Sequence, residues 1–212
     1  MRNVLRITTS ILGETSVSAQ LMEELLAALA DAEDIKLTER DFASQPIPHF
    51  DNAWLTALST AAAERNEEQQ QKVDYSNSLI AELQAADTVI IGLPMYNFSV
   101  PSMLKAWIDH VARAGVTFKY TDSGSVGLLH EKKVYLVTAM GGLHEEGGTD
   151  FLRPYMRQIL SFLGLNDVQF VTAAGLNISP ERREKGLAAA RNEIENLVSR
   201  HRVSTQDKEV AA

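Results

Sequence analysis

Three segments of the chain concentrate residues able to bind a small polar ligand. The first, Thr8-Thr9-Ser10-Ile11-Leu12-Gly13-Glu14-Thr15-Ser16-Val17-Ser18, puts six hydroxyl side chains directly before a helical pattern. The free amides and dipole of a helix N-terminus favour an anion, so this run can receive a phosphate. It has no Lys after a Gly, so it is no Walker loop, and it has no GxGxxG. The alternative, that Ser16 or Ser18 only caps the helix, stands beside the phosphate reading. The second segment, Pro94-Met95-Tyr96-Asn97-Phe98-Ser99-Val100-Pro101, combines two aromatics, an Asn and two prolines. A rigid turn of that composition suits a flat, hydrogen-bonding ring, although in isolation it would serve structure alone. The third, Ala139-Met140-Gly141-Gly142-Leu143-His144-Glu145-Glu146-Gly147-Gly148, holds two glycine pairs. Gly141 and Gly142 let the backbone approach a planar ligand and offer it amides, whereas Gly147 and Gly148 read as surface loop.

Other chemistries find no support. The five histidines, His49, His110, His130, His144 and His201, show no metal-ligand spacing, so no metal site is predicted; His144, next to Glu145 and Glu146, reads as a solvated loop residue. With no cysteine, thiolate nucleophiles, disulfides and iron–sulfur clusters are excluded, and redox chemistry requires a borrowed cofactor. There is no GxSxG elbow, and Thr and Ser occupy the place where a phospho-receiver carries acids. With 20 Lys and Arg against 28 Asp and Glu, the net charge of −8 repels phosphate polymers and argues against nucleic-acid and anionic-membrane partners.

The elements that must position these loops follow from periodicity. Short apolar runs at Val4–Ile7, Thr88–Leu93, Val134–Thr138 and Val168–Ala173, with a more polar one at Ile35–Asp41, read as strands, four of them covered on both faces. Helical patterns intervene: Val17, Leu21, Leu25 and Leu29; Leu79, Ile80 and Leu83; Leu104, Ile108 and Val111; Phe151 to Phe162; and Leu187, Ala190, Ile194 and Leu197. Insertions are expected at Gln45–Phe50, Thr117–Leu129 and Gly141–Gly148. Alternating strands and helices imply right-handed crossovers and a doubly wound α/β sheet with helices on both faces. Five parallel strands favour the flavodoxin-like order 2-1-3-4-5, which brings the loops after strands one, three and four together at the carboxyl edge. The 212 residues read as a single domain, 1–202, with a disordered polar tail, 203–212. No apolar run approaches the ~20 residues of a membrane span, and the expected location is cytoplasmic.

Several motifs carry a resemblance to a known family: the hydroxyl loop Ser10 to Ser18, Pro46-Ile47-Pro48, Pro94-Met95-Tyr96-Asn97-Phe98, Val111-Ala112-Arg113-Ala114-Gly115-Val116-Thr117-Phe118, Gly141-Gly142 and Phe162-Leu163-Gly164. In these the sequence resembles the FMN-dependent NADH-azoreductases, flavodoxin-fold enzymes related to the two-electron quinone reductases. The resemblance implies tightly bound FMN, with its phosphate held by Ser10, Ser16, Val17 and Ser18. It implies that Met95, Tyr96, Asn97 and Phe98 pack against and hydrogen-bond the isoalloxazine and ribityl chain, and that Ala139, Met140, Gly141 and Gly142 border the pyrimidine end. Family members often carry Ser-Arg where this chain has Ala139-Met140, which removes a side-chain hydroxyl and leaves backbone amides. Tyr120 and Phe162 match positions that line the substrate pocket, partly from a neighbouring subunit; for Phe162 the alternative is a plain core aromatic. The family implies a homodimer, with the segments Val100–Trp107 and Phe151–Phe162 available for its interface, and NADH as co-substrate. It also implies ping-pong transfer of electrons to quinones and azo compounds, with no obligatory catalytic side chain. Alternatives are a quinone or nitro reductase with little azo activity, a flavodoxin-type electron carrier, and a cofactor-free interaction domain.

Overall fold

The structure, a computed structural model, describes the backbone of residues 1–210 and the side chains of residues 1–201. Five parallel strands form the sheet: β1 (Arg2–Thr8), β2 (Ile35–Asp41), β3 (Thr88–Pro94), β6 (Lys133–Ala139) and β7 (Asp167–Ala173). Their order is β2-β1-β3-β6-β7, the order expected when only sheet strands are counted. Strand β3 is buried along its whole length. On one face lie α1 (Val17–Ala30) and α6 (Pro180–Val210), which close a core around Leu21, Leu25, Ile90 and Val137. The other face carries α3 (Glu67–Ala85), α4 (Ser102–Val111) and α5 (Leu152–Leu163) over a larger core that includes Ile91, Leu93, Leu104 and Trp107. A Cβ on Gly92 would lie 2.5 Å from Met22 Cε, so a glycine at mid-strand lets α1 press directly on β3. The expected tail 203–212 lies outside the described side chains and, for 211–212, outside the described residues altogether.

Two elements depart from the sequence reading. Helix α2 (Asn52–Ser59) follows the Pro-Ile-Pro turn and is capped by Asp51, whose side chain accepts from the amides of Ala53 and Trp54. Its one buried residue is Ala57, so no apolar stripe announced it. Below it, fully buried His110 meets the Pro48 carbonyl through Nε2 at 2.9 Å and packs edge-on against Phe50, Trp54 and Tyr75. Burial lowers its pKa from the ordinary histidine value, only partly offset by that hydrogen bond. The insertion Thr117–Leu129 is a two-stranded antiparallel hairpin, β4 (Phe118–Thr121) and β5 (Gly124–Gly127), outside the main sheet.

Candidate functional site

The carboxyl ends of β1, β3 and β6 bring the three predicted loops together. In the first loop, Ser10, Ser16 and Ser18 are all buried. Ser16 is the N-cap of α1, and its hydroxyl oxygen accepts from the Ala19 amide at 3.2 Å. Capping is therefore real, yet it occupies the oxygen and leaves the hydroxyl hydrogen to donate. Ser18 Oγ lies 3.3 Å away, and helix geometry leaves the amides of Val17 and Ser18 without an intrahelical acceptor. Hydroxyls and amides thus point to one small region with the character of an anion cradle. The half-buried Val17 side chain packs on the core, so its contribution to that cradle is its amide.

The second loop is a two-residue turn. Tyr96 and Ser99 exchange both backbone hydrogen bonds at 3.0 Å, while Asn97 and Phe98 take φ values of 48° and 67°. Paired left-handed residues are the turn that matches a tight hairpin, and Asn tolerates it. A phenylalanine there is strained, and such strain collects where a ligand is gripped. The turn leaves Phe98 51% exposed. Half-buried Met95 packs on the core beneath and donates its amide to the Ala139 carbonyl at 2.9 Å, joining the second and third loops. The Tyr96 hydroxyl reaches the other way, 3.1 Å from Ser10 Oγ, and accepts from the Ile11 amide at 3.3 Å. A cavity of about 700 Å³ lies between these loops, lined by Ile11, Met95, Tyr96, Asn97, Val100 and Ser102.

The third loop is held by main chain. The carbonyls of Met140, Gly141 and Gly142 accept from the amides of Leu176, Asn177 and Gly175 respectively, at 2.8 to 3.1 Å. The amides of Gly141 and Gly142 donate to no other described residue and are available to a ligand. The Met140 side chain is fully buried and its amide donates to the Ala173 carbonyl, so Met140 offers no free amide and no exposed side chain, and its one remaining polar group is a carbonyl that already accepts from Leu176. One reading needs correction: His144 is half-buried rather than solvated. Its Nδ1 lies 2.9 Å from Thr149 Oγ1 and its ring stands edge-on to Phe98 at 5.7 Å. A Cβ on Gly142 would lie 2.9 Å from His144 Nε2, and one on Gly141 would lie 2.7 Å from Asn177 Nδ2. Glycine is required at both positions because Asn177 and His144 already occupy the space a Cβ would take.

Tyr120 and Phe162 are not brought to this site within one chain. They cluster with Phe118, at centroid separations of 5.5 Å for Tyr120 and 4.3 Å for Phe162. Phe151 caps the end of α5 that follows the third loop, and Phe162 lies roughly 16 Å further along at 1.5 Å per residue. Tyr120 is 75% exposed. Among the described residues no cluster of His, Asp and Glu could hold a metal, and no helix is long and apolar enough to cross a membrane. A separate cavity of about 740 Å³ lies at the opposite end of the strands, lined by Arg2, Asp87, Lys133, Gly164 and Asp167 among others, with none of the predicted site residues in its lining.

Comparison with known proteins agrees with this arrangement. A family model described as the flavodoxin-like fold matches residues 2–198. An FMN-dependent NADH:quinone oxidoreductase of Saccharophagus degradans is 46% identical over 207 residues, covering 93% of this chain and 94% of that protein. One from Herminiimonas arsenicoxydans is 46% identical over 202 residues, with 93% and 99% covered. Among solved structures, an FMN-dependent NADH-azoreductase from Bacillus anthracis in complex with FMN superposes with a TM-score of 0.85 at 27% identity, covering 94% of this chain and 99% of that one. The chain belongs to the flavodoxin-like-fold family, among relatives named FMN-dependent NADH:quinone oxidoreductases.

Proposed function

We propose that the chain is an FMN-dependent oxidoreductase that draws electrons from NADH and delivers them to quinones and azo compounds. The observation that carries this reading is the link made by Tyr96, whose hydroxyl joins the anion cradle at Ser10 and Ile11 to the loop bordering the cavity. A ligand with a phosphate at one end and a flat ring at the other spans that arrangement. When bound, FMN supplies a hydride acceptor and a two-electron donor. Ser10, Ser16, Ser18 and the first amides of α1 bind the phosphate. Phe98 and Met95 wall the ring, while the amides of Gly141 and Gly142, with His144 beside them, hold its polar edge. No side chain of the site needs to move a proton. NADH and acceptor take turns at one stacking place, which gives ping-pong kinetics.

The substrate wall is completed by a second copy of the chain, through Tyr120 and Phe162. Their distance from the loops within one chain and the exposure of Tyr120 support a homodimer. A single flavodoxin-like domain in the cytoplasm accounts for the whole activity. The decisive experiment titrates apoprotein with FMN and then, without oxygen, with NADH followed by a quinone or an azo dye. Flavin bands that bleach with NADH and return with acceptor are expected, as are parallel double-reciprocal lines. Preference for FAD with rejection of FMN would overturn the phosphate assignment, and intersecting lines would overturn the shared stacking place. A fully active monomer by light scattering would remove the partner's contribution.

A further inference from the structure

Arg6 lies within β1 and is buried, although a strand covered on both faces ordinarily carries apolar residues there. One guanidinium nitrogen donates to Glu39 Oε1 at 2.7 Å, across the β1–β2 pair in which the two residues are register partners. The other terminal nitrogen donates to Glu14 Oε2 at 2.5 Å and lies 4.0 Å from Glu23 on α1. The second oxygen of Glu14 accepts from the Thr8 hydroxyl at 3.2 Å. Burial works against the charge of Arg6, yet its bonds to Glu14 and Glu39 outweigh burial and raise its pKa above the ordinary arginine value. Arg6 is therefore a fixed cation with a two-pronged grip, one prong on the neighbouring strand and one on the loop.

That second prong is placed at the loop's weak point. Between Ser10 and Ser16 the chain is held by short-range bonds: Gly13 amide to Ser10 carbonyl at 3.1 Å, Thr15 amide to Leu12 carbonyl at 3.3 Å, and Ser16 amide to Gly13 carbonyl at 3.2 Å. The side chains of Ile11 and Leu12 are exposed and anchor nothing, although the Ile11 amide donates to the Tyr96 hydroxyl. Tyr96 pins the beginning of the loop and the Ser16 cap pins its end. Among the described residues, Glu14 is the one side chain that ties the turn 13–15 to the sheet.

We propose that Arg6 is a positioning residue for the phosphate cradle, acting through Glu14 to hold the turn down so that the hydroxyls on either side of it face one point. The inference rests on the FMN reading of the site. It reverses the expected sign of a substitution: a carboxylate inside a phosphate loop of an acidic protein should repel the ligand, whereas here its removal frees the turn and weakens binding.

The experiment titrates FMN and riboflavin, by fluorescence quenching, into apoprotein of the parent and three variants. Glu14→Gln, on a side chain exposed enough to be tolerated, is expected to weaken FMN about tenfold and riboflavin less than about twofold, as loss of a charged hydrogen bond felt only through the phosphate would. Arg6→Lys keeps the charge but loses the fork and is expected to match Glu14→Gln. Glu39→Gln, which touches no part of the loop, is expected to leave FMN affinity within about twofold. Unchanged or tighter FMN binding in Glu14→Gln overturns the proposal even if Arg6→Lys fails to fold. An equal loss in Glu39→Gln overturns it too, because the effect would then belong to the buried cation and not to the tether. A parent apoprotein that binds no FMN would overturn the reading of the site and this inference with it; a parent that binds while Glu14→Gln is unaffected overturns this inference alone.

Discussion

The hydroxyl loop and the glycine loop, both tied to the turn that carries Met95 and Tyr96, are built by opposite means. The first is held by side chains: Ser16 caps α1, Tyr96 clasps Ser10, and Glu14 reaches Arg6. The second is held by backbone, with three consecutive carbonyls bound to amides of the loop after β7. Deleting an oxygen damages the first and is invisible to the second. Adding a carbon damages the second, where the space beside Gly141 and Gly142 is already taken by Asn177 and His144. A site can thus depend on residue identity at one edge and only on residue size at the other.

The largest effect expected is on the side-chain edge. Ser16→Ala with Ser18→Ala removes two donors worth about 1.5 to 3 kcal/mol each toward a charged group, so FMN affinity should fall by roughly two to four powers of ten. Riboflavin, without the phosphate, should be almost indifferent; equal FMN affinity in parent and variant would return both serines to helix capping. Next comes Gly141→Val, which crowds Asn177; overpacking of ~1–3 kcal/mol should appear as lowered FMN affinity, and adding Asn177→Ala should restore most of it. Failure of that rescue would mean the glycine is needed for its backbone and not for space. Tyr96→Phe breaks the clasp to Ser10 and Ile11 and should cost FMN about 1 kcal/mol, a fewfold loss, read by the same titration. The smallest effect is expected at Met140→Leu, where the side chain is buried and both backbone groups are engaged: FMN affinity should stay within about twofold. A larger change there would break the contrast between the two loops.

The inner strands were legible because runs such as Thr88–Leu93 are covered on both faces and leave no polar alternation. The hydroxyl loop was legible because its polar residues are adjacent in sequence. What escaped notice lacks a local pattern. Helix α2 buries only Ala57, and the hairpin β4–β5 buries only Phe118, so neither has a periodic stripe. His144 sits next to two exposed glutamates, while the partners that draw it into the site, Phe98 and Thr149, lie on another loop and five residues ahead. Met140 follows a strand whose two faces are both buried, so alternation could not tell which way its side chain turns. Arg6 and Glu14 meet only because the chain doubles back over β1.

Besides the packing of Phe118 on Phe162, the hairpin β4–β5 meets the body of the protein through bare backbone. A Cβ on Gly127 would lie 2.0 Å from the Gly164 nitrogen, and one on Gly164 would lie 2.6 Å from the Leu129 carbonyl. Two stretches of bare backbone rest on one another, locked by the Leu129 amide on the Leu163 carbonyl at 2.9 Å. The hairpin behaves mechanically as a lever with a fixed pivot, reaching roughly 13 Å from that pivot at ~3.3 Å per residue. A methyl group on either glycine would collide with backbone and displace the strand paired with the one that carries Tyr120. The placement of the hairpin therefore depends on two glycines in backbone contact, and the Leu129 amide there should be among the slowest near the hairpin to exchange with deuterium.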